Sequence, residues 1–320
     1  MGGCGSTFVH TVIYSGWLVK TMRVVDLFCG LGGSSAGVSL AGGTLVGAAD
    51  WCPRALAAYR LNHAGHAAVE MDLSDTEATL RWVRGRRPDV VVASPPCQSY
   101  STAGHGRAGC DLAVSTSRVA IRAGVHLVLE NVIPFLTGAA WRTARGELEA
   151  AGYSVAVLKI KASHLGVAQK RRRAFCVCVR GGSREAALQL ERRAAALAQR
   201  PDACVHDALP HLRGRTYFML GCHRDASVHT ADDAPCKTLR TCCATRWGSG
   251  YVPKVRDAGP VADAHLLTVP ELCVLQGLGA DYRFPEGTSR SAKAKLIGNS
   301  VVPCCLAWVI QGVLGQGLWT

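Results

Sequence analysis

The chain has 320 residues, 48% hydrophobic and 18% charged, which excludes a disordered chain and leaves room for one large core with a small second unit. Lysine and arginine number 36 against 23 aspartates and glutamates, a formal charge of +13, and this favours a polyanionic partner such as nucleic acid. The cysteine count, 15, is odd and no convincing secretory signal accompanies it, so free thiols in a reducing, intracellular compartment are expected rather than a disulfide framework.

No Cys-x-x-C pair occurs, and Cys176-Val177-Cys178, Cys242-Cys243 and Cys304-Cys305 lack structural-zinc spacing, so no metal site is expected. Residues 8–19 are apolar but too short to span a bilayer, with no basic region before them, and no membrane partner is expected. Residues 1–21 are expected to be a disordered leader or to lie upstream of a true start at Met22.

In chain order, 23–28 reads as a strand, Cys29-Gly30-Leu31-Gly32-Gly33 as a glycine-rich turn and 34–41 as a helix. Such a unit is either an ordinary tight turn or one that lets backbone approach a nucleotide-like ligand. A second strand at 44–49 ends in Asp50-Trp51. An acid about 20 residues past the glycine turn is placed for ribose hydroxyls, and Trp51 either stacks on a base or packs in the core. A helix at 53–62 starts with proline, and a strand at 69–73 brings Asp72 to its end. A helix follows at 76–83.

The β-branched run Asp89-Val90-Val91-Val92 leads into Ala93-Ser94-Pro95-Pro96-Cys97-Gln98. The prolines end the strand and place a thiol at the mouth of a parallel-type sheet, where such folds put their chemistry. Residues 99–112 are rich in Ser, Gly and Thr without hydrophobic period, and a mobile lid is expected there. A helix at 114–124 precedes the buried strand 126–129, which delivers Glu130-Asn131-Val132. A carboxyl at such a tip either caps the next element or has chemical work to do. After a helix at 141–151 and a strand at 153–160, Gln169-Lys170-Arg171-Arg172-Arg173 runs into a strand at 174–179. Side-chain alternation then points Arg171 and Arg173 the same way.

Past Arg180 the alternation of strand and helix stops. Residues 184–199 read as an amphipathic spacer helix, 216–218 and 238–241 as strand fragments, and Arg240, Arg246 and Trp247 as candidates for phosphates or bases. Helices are expected at 270–276, 291–296 and 304–314, with a glycine-containing turn at 297–303.

Together these pieces resemble the DNA cytosine-5 methyltransferases. Asp26-Leu27-Phe28-Cys29-Gly30-Leu31-Gly32-Gly33, Pro95-Pro96-Cys97-Gln98, Glu130-Asn131-Val132, Gln169 to Arg173, Leu267-Thr268-Val269-Pro270-Glu271 with Leu275-Gln276-Gly277, and Gly298-Asn299-Ser300-Val301-Val302 are similar to that family's motifs in their order. The resemblance implies an α/β, Rossmann-like methyltransferase sheet with a second, smaller, irregular or β target-recognition domain. Residues 22–180 and 266–320 would form the catalytic domain and 181–265 the recognition domain. It implies S-adenosylmethionine as cofactor, duplex DNA as partner, a cognate restriction endonuclease as a further partner, and a monomer.

The implied roles follow cytosine's chemistry. C5 is a poor nucleophile until a thiolate, Cys97, adds at C6. Glu130 would protonate N3, Arg173 would hold the ring carbonyl, and Arg171 would orient the cysteine loop and backbone. The base must leave the duplex to be reached. Phe28, Gly30, Leu31, Gly33, Asp50, Trp51, Asp72, Leu73, Pro95, Leu112, Asn299 and Val301 would line the cofactor, and Gln98, Ser99, Arg240 and Arg246 would touch DNA.

The chain departs from the family pattern at Ser34-Ser35, at Ser99-Tyr100, in the short span between Cys97 and Glu130 with no clear Arg-Gly-x-Leu element, and at Val269-Pro270-Glu271, which lacks the usual arginine. Three other readings compete. The RNA-directed branch would carry Cys-Phe-Thr, absent from 181–265. An inactive DNA-binding regulator would not need Cys97, Glu130, Arg171 and Arg173 together. A dinucleotide oxidoreductase would want G-x-G-x-x-G.

Overall fold

The computed structural model describes residues 22–66, 68–96, 111–220, 226–239, 254–255, 259–260 and 265–314. Cys97, Gln98, Ser99, most of the expected lid, Arg240, Arg246, Trp247 and the expected leader lie outside them.

The first part alternates strands and helices: β1 (Arg23–Leu27), α1 (Gly33–Leu40), β2 (Thr44–Asp50), α2 (Pro53–Asn62), β3 (Ala68–Glu70), α3 (Thr76–Arg86), β4 (Val90–Ala93), α4 (Leu112–Ala123), β5 (His126–Asn131), α5 (Ala139–Ala150), β6 (Tyr153–Lys161) and β7 (Arg172–Arg180). These strands form one sheet in the order β3-β2-β1-β4-β5-β7-β6. Pairing is parallel from β3 to β5, while β7 runs antiparallel to both β5 and β6.

The reversal of β7 matters most for function. Because β7 runs against β5, its first residues meet the last residues of β5: Asn131 pairs with Ala174 and Glu130 with Phe175. The Arg171 to Arg173 run therefore arrives at the carboxyl edge of the parallel strands, where α/β sheets gather ligands.

The sheet is covered on both faces, which explains strands such as β4 with every residue buried. One layer unites Leu56, Val90, Val128, Val177, Leu306 and Ile310; the other unites Leu27, Val91, Leu127, Leu129, Trp141 and Leu148. Helix starts are set locally. Asp75 caps α3 by accepting from Ala78 N at 2.9 Å, and Pro53 opens α2 without losing a needed donor.

α6 (Arg184–Ala196) is not a free spacer. Its Leu190 and Ala194 pack with Ile160 and Val177, and Glu191 accepts from Val157 N at 2.8 Å. Beyond it come α7 (Val205–Ala208), a 3-10 turn at Pro210–Leu212, β8 (Thr216–Leu220), β9 (Ala226–Thr230), β10 (Lys254–Val255), β11 (Gly259–Pro260) and β12 (His265–Leu266). β8 joins antiparallel β9 and parallel β12 in a small sheet. β9, β12 and α7 were not expected, and the expected fragment at 238–241 is not strand over its described residues Thr238 and Leu239.

The chain then returns through α8 (Val269–Leu275), α9 (Arg290–Asn299) and α10 (Pro303–Leu314). α9 runs one turn longer than expected, so Gly298 and Asn299 end a helix instead of starting a turn. α10 lies on α1, burying Leu306, Val309 and Ile310 beside Val24 and Val38. By length and composition alone the stretch Arg290–Gly312 could cross a membrane, but 67% of its apolar window is buried inside the fold, as suits core helices.

Candidate active site

Several chain segments converge at the carboxyl edge of the sheet. β1 ends in Phe28, a non-glycine residue with φ of 59°. Held left-handed backbone in a bulky residue costs on the order of 1 kcal/mol and is kept where a site needs it. Here it turns the chain into Gly30, also left-handed at φ 55°, where an added Cβ would meet no atom within 4 Å. The turn is thus open on the side away from the core.

Asp50, at the end of β2, fastens this turn. Its carboxylate accepts from Gly30 N at 2.9 Å and from Cys52 N at 2.8 Å. Burial pushes its pKa up, and the hydrogen bonds from Cys52, Gly30 and Trp51 offset part of that. Three donors leave this carboxylate lone-pair capacity for a ligand hydroxyl. Trp51 beside it is 69% exposed, so of its two expected roles core packing is excluded. Asp72 is exposed after β3, its carboxyl held below the usual range by hydrogen bonds from Ser74.

Two expected lining residues do not present side chains here. Leu31 is buried in the cluster with Ala58, Leu272 and Leu275, and Leu73 in the one with Leu80 and Val83. Only their backbones can face a ligand. Asp26, beneath the turn, is fully buried; Ser35 donates to it at 2.7 Å, and burial pushes its pKa up to about 7.

Gly33 marks where the C-terminal segment closes over the turn. A Cβ there would lie 2.0 Å from Ser300 Oγ and 2.2 Å from Val301 O. Gly33→Ala is therefore expected to push Ser300 and Val301 off α1 and to lower the melting temperature, which a thermal melt checks. Val301 is buried and Asn299 exposed at this seam.

The chemical end lies one strand over. Glu130 is 7% exposed at the tip of β5, and Arg173 Nε stands 3.2 Å from its Oε1. The direction of that contact misses hydrogen-bond geometry, because Oε1 has no hydrogen-bond partner among the described residues. The carboxylate is thus charge-paired yet keeps an unfilled oxygen. Next to it, Asn131 Nδ2 donates to Pro95 O at 3.3 Å and its Oδ1 accepts from Val132 N at 2.8 Å. Ser94 ties the same loop to β1 through Ser94 N to Leu27 O and Ser94 Oγ to Phe28 O, both 3.3 Å. The loop that leads to Cys97 is therefore fastened between the glycine turn and the Glu130 tip. Its last described residue, Pro96, is exposed.

Arg171 is bonded to the backbone of distant segments. It is 4% exposed and donates to Gly298 O at 2.9 Å, Ser300 O at 3.0 Å and Leu239 O at 3.4 Å. Its described partners thus hold the C-terminal segment that closes over Gly33, and the cysteine loop it was expected to orient lies outside the described residues from 97 on. Gln169 extends the network, donating to Leu275 O at 2.7 Å and Gln276 Oε1 at 3.0 Å and accepting from Leu239 N at 3.1 Å. Gln276 in turn donates to Ser300 O at 2.7 Å. Arg171→Met strips donors from buried carbonyls, at roughly 1–3 kcal/mol for each group left unpaired. A urea midpoint shifted down by about 3 kcal/mol of stability is expected, and an unchanged midpoint would show that this network carries no weight.

Asn131, Gln169 and Gln276 are the residues that sequence reasoning missed. All three stood inside motifs already noticed. Their partners lie far away in the chain, Leu275 being 106 positions from Gln169, so no local spacing signals the pairing. The described thiols behave as packing groups where they are buried: burial pushes Cys29, Cys176 and Cys178 up, and Cys273 to about 12.

A doubly covered sheet with a glycine turn, an open tryptophan beside a buried acid and a paired Glu and Arg at a proline loop defines a nucleotide-type α/β transferase. The chain belongs to the C-5 cytosine-specific DNA methylases, whose family model matches residues 22–211; it is a DNA cytosine-5 methyltransferase. The Type II methyltransferase M.HgiDI of Herpetosiphon aurantiacus is 30% identical over 307 residues, 92% of this chain and 96% of that protein. The Type II methyltransferase M.AgeI of Thalassovita gelatinovora is 34% identical over 177 residues, but this match covers only 41% of that protein. Among solved structures, the Dnmt2 methyltransferase of S. pombe superposes with a TM-score of 0.67 at 17% identity, covering 93% of this chain and 99% of that one. A putative DNA modification methyltransferase from an E. coli prophage gives 0.62 at 18% identity, covering 92% and 99%. At such identities these two speak for the fold alone.

Proposed function

We propose that the chain methylates cytosine within a specific duplex DNA sequence by covalent catalysis through Cys97, with Glu130 and Arg173 as the groups that act on the ring. The observation that carries this reading is the buried Glu130–Arg173 pair beside the fastened Pro95 loop. Cys97 supplies a thiolate that bonds to C6 of a cytosine swung out of the duplex. Adding at C6 builds charge at N3; Glu130, after taking up a proton from solvent, delivers it there and is left as the carboxylate. Arg173 stays ion-paired with Glu130 while contacting the ring carbonyl. C5 is then electron-rich. After methylation the C5 proton leaves to water, the C6–S bond breaks to restore the thiolate, and N3 returns its proton to Glu130.

The residues at the glycine turn fit S-adenosylmethionine, which the family uses and which supplies an electrophilic methyl group when bound. The open side of Gly30, the spare lone pairs of Asp50 and the exposed face of Trp51 support that fit. Asp50 would take the ribose hydroxyls, Trp51 the adenine face, and Asp72 the adenine amine. Phe28, Gly33, Pro95, Leu112, Asn299 and Val301 would close around the rest.

Target reading falls to the segment between α6 and α8, where Arg240 and Arg246 stay candidates together with Gln98 and Ser99 of the cysteine loop. We further hold that the enzyme acts as an intracellular monomer and that a cognate restriction endonuclease accompanies it. Bisulfite sequencing of host DNA after expression tests the activity and reveals the target together. Host DNA left unmodified, with labelled methyl appearing in transfer RNA instead, would favour the RNA-directed reading.

A further inference from the structure

His211, His265 and Glu271 lie outside the active site, at the neck of the excursion that carries the small sheet. His211 is in the 3-10 turn just before β8, His265 is in β12 where the excursion ends, and Glu271 is in the first turn of α8. The ligating atoms of these three side chains all fall within 4.8 Å of one another. His211 Nε2 is 2.6 Å and His265 Nε2 2.8 Å from the same oxygen, Glu271 Oε1. The two imidazole rings stand edge-on at 80°, so both nitrogens converge on that oxygen rather than stack.

The other oxygen of Glu271 is shared. Oε2 accepts from Thr268 N at 2.6 Å and from Thr268 Oγ1 at 2.9 Å, completing a capping box at the start of α8, and it also lies 2.9 Å from His265 Nε2. The carboxylate is therefore fixed in place by the helix cap, with Oε1 facing both histidines and His265 reaching both oxygens. Glu271 is 8% exposed, whereas the His211 side chain is 53% exposed, so the cluster is anchored on one side and open to solvent on the other.

We propose that these three side chains bind one zinc ion, with water as the fourth ligand on the open side, as a clasp across the neck of the target-reading segment. Two imidazoles and one carboxylate are a donor set that zinc favours. In a tetrahedral site the ligand atoms stand about 3.3 Å apart, so from their present 2.6 and 2.8 Å the imidazoles of His211 and His265 need to move back from Oε1 by about 0.7 and about 0.5 Å. His211 and Glu271 are 60 positions apart. A metal bridging them holds both ends of the excursion against α8, whose next turn bonds to Gln169 and, through Gln276, to Ser300. Binding sets the orientation of the reading segment relative to the active site and takes no part in the chemistry. It was not expected from the cysteine spacing, since it uses no cysteine.

Full-length protein stripped with a chelator and titrated with cobalt(II) alone should show the visible absorption of a tetrahedral nitrogen–oxygen site, saturating at one equivalent and displaced by zinc. Zinc should raise the melting temperature by several degrees, because it binds the folded form. His211→Ala, at a half-exposed position, keeps the native circular dichroism and loses at least tenfold in affinity, together with the zinc-dependent rise. His265→Ala does the same. A thiolate-to-cobalt charge-transfer band would place the metal on cysteines and overturn the proposal. So would undiminished affinity in His211→Ala, or no binding at millimolar cobalt.

Discussion

The Cys97→Ser protein is expected to bind duplex DNA and cofactor yet transfer methyl at least about 10⁴-fold more slowly, on the scale seen when an enzyme loses its nucleophile. A thiol is a few per cent ionised at neutral pH and intrinsically nucleophilic, whereas a serine hydroxyl is neither. The loss should fall on kcat, because Asn131 and Ser94 fasten the Pro95 loop that leads to residue 97. A duplex carrying 5-fluorocytosine tests the covalent step directly. There the C5 substituent cannot leave, so the parent enzyme should remain bonded to the DNA and the serine variant should not. Methylation by Cys97→Ser within tenfold of the parent would rule out Cys97 as the nucleophile, since none of the buried thiols described above could replace it on the same loop.

Glu130→Gln should lower kcat by about 10²–10⁴-fold, the usual contribution of a positioned general acid. The amide keeps the size of the carboxyl and can still hydrogen-bond to the base, so KM should change far less. What it cannot do is give N3 a proton. Stability needs its own control, because the substitution leaves Arg173 facing a neutral group in a site where both side chains are largely buried. Breaking one partner of such a pair costs up to several kcal/mol. A variant that stays folded by circular dichroism, binds DNA and still turns over at the parental rate would remove Glu130 from the chemistry. Measuring the 5-fluorocytosine adduct in the same variant separates the two halves of the mechanism. Slow adduct formation places the loss at C6 addition, where N3 must be protonated.

These experiments bear on residues whose types were legible in the sequence, but the means by which they meet were not. The strand that ends in Glu130 could be read from its apolar run, and the run from Gln169 to Arg173 from its charge. That Arg173 faces Glu130 depends on β7 entering the sheet antiparallel beside β5. Nothing local to either segment specifies that pairing. Side-chain alternation put Arg171 and Arg173 on the same side, yet the two diverge in use. Arg173 reaches a carboxylate, and Arg171 reaches carbonyls more than 120 positions away that only the return of α9 and α10 brings near. Leu31 and Leu73, expected to line the cofactor, bury their side chains for a related reason: motif membership says which stretch forms a turn, and packing decides which of its side chains turn inward.

The sequence by itself determined the local pieces. Glycine and proline set the turns after β1 and β4, β-branched runs set the buried strands, and the ordered motifs identified the chemistry and its family, because each depends on residues near one another in the chain. Tertiary structure decided the rest. It chose which oxygen of Glu130 stays unfilled, fastened the Pro95 loop through Asn131, closed Val301 against Gly33, left Trp51 open and gathered His211, His265 and Glu271 at one neck. Each of these is a contact between distant segments, and such contacts form only when burial of the two apolar layers fixes how the strands and helices stack.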